Sequence, residues 1–149
     1  MDERIDDKIK EIETYLSQLS ERVPANLEEY KSDFFSKAAF ERYAEKIPEA
    51  LVDLAFLVVK DKNLDAPKDD NGAFVILAKN NIISVELSEK LQDAKGMRNI
   101  IAHEYGKIND AIVFHAVSEE LVKDSREFIN SISKTFEERK VDKAGDEED

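Results

Sequence analysis

The sequence predicts an all-α chain folded as an antiparallel up-down bundle of four to five helices. Apolar residues recur at spacings of three and four through most of the 149 positions, and glycine (four) and proline (three) are too scarce for a turn-rich β architecture. Most of the few turn formers fall between the periodic stretches, so the connections are mostly short and neighbouring helices run in opposite directions.

The first helix starts from Asp2 as N-cap and carries a narrow seam of Ile5, Ile9, Ile12, Leu16, Leu19 and Val23, closing near Pro24. A wider seam follows through Leu27, Tyr30, Phe34, Ala38, Phe40, Tyr43, Ala44 and Ile47, and continues past Pro48 to Leu51, Leu54, Ala55 and Val58. Proline removes a backbone donor and crowds the preceding turn, which allows a kink at Pro48 or a break just before it. Residues 61–72, DKNLDAPKDDNG, lose the periodicity and read as an exposed connection. Ala73 to Lys79 is apolar and short, and reads as a short helix, because a lone strand has no partner.

Ser84 opens a long helix through Leu87, Leu91, Ala94, Met97 and Ile101 that is expected to end at Gly106. Asn109 or Asp110 caps a final one bearing Ile112, Val113, Ala116, Val117, Leu121, Phe128, Ile129, Ile132 and Phe136. Residues 1–140 form the expected single domain, and 141–149 an acidic tail expected to be disordered.

Composition narrows the chemistry. Without cysteine, disulfides, thiolate metal sites and cysteine nucleophiles are excluded, and two histidines, His103 and His115, cannot build a multi-histidine metal cage in one chain. No apolar run reaches a membrane span and the N-terminus is charged from its second residue, so a cytoplasmic, membrane-free protein is expected. A net charge of −12 disfavours indiscriminate adhesion to nucleic acid without excluding a local cationic groove.

One segment gathers groups suited to phosphate chemistry: residues 95–107, KGMRNIIAHEYGK. At 100° per residue Arg98 and Tyr105 fall within roughly 20° of one another and about 10 Å apart along the axis. Asn99 and His103, four apart, share a neighbouring face. Ile100 and Ile101 are expected to anchor the helix in the core. A guanidinium grips phosphate oxygens with a planar fork, and an imidazole near a helix C-terminus titrates near neutrality and transfers protons. One arginine and one histidine are few for a nuclease, but a twofold dimer supplies two of each. On spacing alone, an arginine and a histidine near a helix end are more often a salt-bridged surface arginine and a capping histidine than a catalytic pair. Lys95 and Lys107 read as local positive potential or as solvated charges. His115 is assigned no role, and Tyr15, Tyr30 and Tyr43 read as packing residues.

Arg98-Asn99-Ile100-Ile101-Ala102-His103 fits the Arg, polar, three variable residues, His signature of HEPN domains, and His103-Glu104-Tyr105 fits the His-x-Tyr extension of HepT-like toxins. The chain resembles that family from Ile5 to Phe136. The resemblance implies a homodimeric all-α bundle that cleaves RNA without metal or other cofactor, with Arg98 and His103 catalytic in a cleft at the dimer interface. It further implies a minimal nucleotidyltransferase antitoxin that uses ATP to transfer AMP to Tyr105, silencing the toxin in the manner of a type VII-like pair. In that scheme His103 activates an RNA 2′-hydroxyl, Arg98 stabilises the phosphorane and Asn99 orients the phosphate or His103, while DNA is inert for want of the 2′-hydroxyl. The alternative is a non-catalytic module that docks a nucleotidyltransferase or a nucleotide through Arg98 and Tyr105. A third reading is an oligomerising scaffold with the motif buried.

Overall fold

The computed structural model describes the backbone of residues 2–103 and 109–147 and the side chains of residues 2–101 and 109–137. The described residues form α1 (Glu3–Ser20), α2 (Leu27–Ser32), α3 (Phe34–Asp61), α4 (Asp70–Lys79), α5 (Val85–His103), α6 (Asp110–His115) and, after a π-helical turn (Ala116–Leu121), α7 (Val122–Glu147). No strand occurs among them.

The starts of α1, α5 and α6 are fixed by the residues expected to open them. Asp2 accepts a hydrogen bond from the Arg4 amide at 2.8 Å, Ser84 Oγ from the Leu87 amide at 3.0 Å, and Asn109 Oδ1 from Ala111 and Ile112. The core runs along α3, which packs on α1, α4 and α5. From α1 it receives Ile5, Ile9, Ile12, Leu16 and Leu19, all buried, and the rest of one continuous cluster includes Phe40, Leu54, Phe74, Leu91 and Phe128.

The sequence pattern misleads at two places. The second seam is two helices, and the break falls at Asp33, not at Pro48. Asp33 is extended (φ −107°, ψ 103°), and its carboxylate accepts from the Phe35 amide and the Ser36 hydroxyl, so α3 starts there in a new phase. Phe34 and Ala38, expected in the core, are therefore exposed. Pro48 lies buried inside α3, where Ile47, Ala50 and Leu51 on either side are buried in the core and hold the helix through the lost hydrogen bond. The final helix is not uniform either: the π turn absorbs one additional residue, and Ile112, expected on the buried seam, is 63% exposed while Val113 takes the core position. α7 is described as far as Glu147.

Candidate functional site

α5 is held by Leu87, Leu91 and Ile101 on its buried side, with Ala94 and Met97 packed against the core edge. Lys95 reaches the start of α4 and pairs with Asp70 at 3.3 Å, fixing the rotation of α5 before the motif begins. Arg98 is half-buried, and its Nη1 donates to Asn99 Oδ1 at 3.2 Å. That contact turns the guanidinium from the face its Cα occupies toward the neighbouring face, where Asn99 and His103 lie one turn apart. Asn99 thus orients the arginine, one residue away in sequence.

α5 is described as far as His103, and the end expected at Gly106 lies outside the described residues. The His103 side chain lies outside the described residues, as do Tyr105 and Lys107 altogether. At the start of α6, Asp110 is clasped to Lys37 of α3 at 3.0 Å.

Ile101 is buried as expected, but Ile100 is not an anchor: it is 51% exposed, because the two isoleucines are 100° apart and only Ile101 faces α3. Ile100 stands on the open side of α5 with Asp93 and Gly96, and a Cβ on Gly96 would meet nothing within 4 Å. Beside it runs a groove of about 840 Å³ between α5 and the α6–π–α7 rod, lined by Met97, Ile100, Ile112, Val113, Ala116 and Leu121 and edged by Lys90 and Lys123. Asp124 sits in the same wall, and burial pushes its carboxyl above the usual carboxylate range, the Lys90 ammonium opposing that rise. Sequence reading did not single out Gly96, Ile100 or Ile112 as one surface. The signal was there in Gly96 and Ile100, four apart on one side of the helix, but Ile112 joins them only through the π turn.

The remaining aromatic and histidine residues behave as packing or surface groups. Tyr30 is fully buried against Phe40 and Phe114, with ring centroids 5.2 Å from each. Tyr15 and Tyr43 meet edge to face at 6.3 Å. His115 is exposed, with Nδ1 2.9 Å from Glu119 and Nε2 3.3 Å from Glu120. No group of three or more His, Cys, Asp or Glu among the described residues is arranged to hold a metal ion, and no helix among them is long and apolar enough to cross a membrane.

The sequence profile of the family described as ribonuclease HepT-like matches residues 12–132. The chain is 30% identical over 132 residues to an mRNA nuclease HepT of Shewanella oneidensis, covering 89% of this chain and 98% of that protein. It is 28% identical over 114 residues to a tRNA nuclease HepT of Aphanizomenon flos-aquae, covering 76% and 78%. Among solved structures it is similar to a tri-AMPylated Shewanella oneidensis HEPN toxin in complex with an MNT antitoxin, with a TM-score of 0.81 at 30% identity, over 90% of this chain and 99% of that one. A toxin–antitoxin complex with AMP-PNP gives a TM-score of 0.80 at 28% identity, over 89% and 99%.

Proposed function

Because the chain belongs to the HepT-like ribonuclease family, we propose that it is the endoribonuclease toxin of a cytoplasmic toxin–antitoxin pair, acting as a homodimer with Arg98 and His103 as catalytic residues. The observation that carries the reading is the Arg98–Asn99 contact at 3.2 Å, which aims a phosphate-binding fork at the helix face on which His103 follows one turn later. The dimer is supported by the open side of α5, where Gly96 permits close approach and Ile100 and Ile112 offer apolar surface.

In this mechanism His103 takes the proton of an RNA 2′-hydroxyl. The freed oxygen attacks the adjacent phosphorus, and Arg98 stabilises the added negative charge of the phosphorane. The P–O5′ bond breaks, His103 of the partner subunit supplies the leaving oxygen's proton, and the products are a 2′,3′-cyclic phosphate and a 5′-hydroxyl. Asn99 is a positioning residue that holds the guanidinium. DNA, without the 2′-hydroxyl, cannot start the sequence. No step needs a metal ion. The antitoxin is a minimal nucleotidyltransferase that transfers AMP from ATP to Tyr105: the phenolic oxygen bonds to the α-phosphorus, the bond to the β-phosphate breaks, and pyrophosphate and the phenolic proton leave. The added phosphate occupies Arg98 and the nucleoside fills the cleft, which turns the toxin off.

Arg98→Ala and His103→Ala each lower RNA cleavage in EDTA by roughly 100-fold or more and relieve growth inhibition. Unchanged cleavage and growth inhibition in both variants overturn the catalytic assignment and leave the non-catalytic docking module. Tyr105→Phe gains no AMP on incubation with the antitoxin and ATP, read by mass spectrometry, while the unaltered protein gains at least one.

A further inference from the structure

We propose that Lys95 binds the phosphate next to the scissile one, so that the RNA strand lies along α5 from His103 toward Lys95. The inference rests on the ribonuclease reading above and adds one phosphate contact to it. Lys95, Asn99 and His103 follow one another at intervals of four on α5. Each interval turns about 40° and climbs about 6 Å, so the three positions form one ridge of the helix. One such step matches the reach from one phosphate to the next along an RNA strand. With the scissile phosphate held by Arg98 beside Asn99 and His103, the neighbouring phosphate falls at Lys95.

The Lys95 ammonium is held in place. Its side chain is 23% exposed and lies 3.3 Å from Asp70, whose own side chain is 49% exposed. An ammonium carries three N–H donors and Asp70 takes one, which leaves donors for a phosphate oxygen. Asp70 stands in the first turn of α4, so α4 starts level with Lys95. The chain reverses through the short connection 80–84, and α5 runs on past the start of α4 toward Asn99 and His103. That edge of the motif helix has no α4 beside it, and Lys95 stands where the opening begins.

The surrounding charges single out this lysine. Asp69 accepts from the Gly72 amide at 2.7 Å as the N-cap of α4, and it and Asp70 sit at the positive end of that helix, which offsets part of their charge. Asp93 lies about 160° round α5 from Lys95, on the open side with Gly96. Lys90, the other lysine of α5, lies about 140° round from Lys95 and pairs with Glu86 at 3.4 Å. Of the two lysines, Lys95 alone shares a ridge with the motif. Asp70 steadies the ammonium but also repels an incoming phosphate, and these two effects separate on substitution.

The test uses the full chain and a non-cleavable 2′-O-methyl RNA 12-mer, bound at several salt concentrations. Lys95→Gln weakens binding by about 10-fold and lowers the slope of log affinity against log salt by about 0.7, the share of one single-strand phosphate contact. Lys95→Arg retains both the affinity and the slope. Asp70→Asn binds the 12-mer at least as tightly as the unaltered protein, because a negative charge beside the strand is gone and the ammonium remains. Unaltered affinity or salt slope in Lys95→Gln overturns the proposal. Weakening by Asp70→Asn overturns it too, since the pair then only fastens α5 to α4, and so does a 12-mer that the unaltered protein does not bind. In each of these events, RNA cleavage that still requires Arg98 and His103 leaves the catalytic reading intact. Lys95-dependent binding of the 12-mer without cleavage of any RNA sustains the phosphate site while the catalytic reading falls.

Discussion

The α1–α3 seam and the α5–α7 groove are built from the same kind of side chain and end in opposite conditions. Along α1, five aliphatic residues at helical spacing are all buried against α3, and the rim is closed by Lys8, which lies 2.7 Å from Glu11 and 3.6 Å from Asp53. Along α5 the aliphatic positions are split: Leu87, Leu91 and Ile101 are buried, whereas Ile100, with Ile112 opposite, is left in solvent beside a carboxylate that burial keeps from its ordinary acidity. One region converts its apolar surface into stability. The other leaves it in contact with water, which is why the homodimer proposed above is placed there.

The largest effect that separates the regions is a cavity. Ile12→Ala, at a site with no exposure, costs about 3 kcal/mol in urea unfolding, whereas Ile100→Ala changes stability by less than about 0.5 kcal/mol. An equal cost at the two positions breaks the contrast. Next, Ile100→Asp with Ile112→Asp abolishes self-association in sedimentation while leaving the helical circular dichroism intact; a dimer that survives both changes does not use this groove.

The smaller effects are pH profiles of opposite slope. The Asp124 carboxyl is raised on folding, so its ionisation opposes the native state: stability is greatest at low pH and is lost as pH rises through the folded value. Asp124→Asn therefore equals the unaltered protein below the carboxylate range and exceeds it in stability at neutral pH. Glu11 is lowered, chiefly by its hydrogen bond with Lys8 and also by the Tyr15 hydroxyl, so its contribution is present above the unfolded value and is lost as pH falls through the folded one. Glu11→Gln is slightly destabilising at neutral pH and indifferent in acid, the mirror of Asp124→Asn.

How much of this could be read from residues alone differs between the regions for a physical reason. The α1 seam was fully legible through Leu19 because one uninterrupted helix buries one face, and only Val23, beyond the last turn, is exposed instead. Phe34 was misplaced because a 3.6-residue period carries across a one-residue break unnoticed, and only the Asp33 cap reveals the new phase. Pro48 left two outcomes open, since its backbone cost of about 3 kcal/mol is opposed by packing that no local pattern displays. In the site, Asn99 was expected to orient the phosphate or His103, and the partner it has among the described residues is Arg98, a contact between sequence neighbours that helical spacing does not predict. The open state of Ile100 was not legible, because exposure depends on which neighbours are absent.

The turn at Ala116–Leu121 has a consequence for chain length. It stores one residue more than regular winding would, bracketed by the His115 imidazole and its two glutamates. Excising any one residue of that stretch lets the rod relax to ordinary pitch with α6 and α7 keeping their relative orientation. The same excision a few positions downstream, inside α7, rotates everything before it by about 100°, swinging Ile112 away from α5 and Val113 out of the interior. The polypeptide tolerates a lost codon in one short window and is punished for it on the far side.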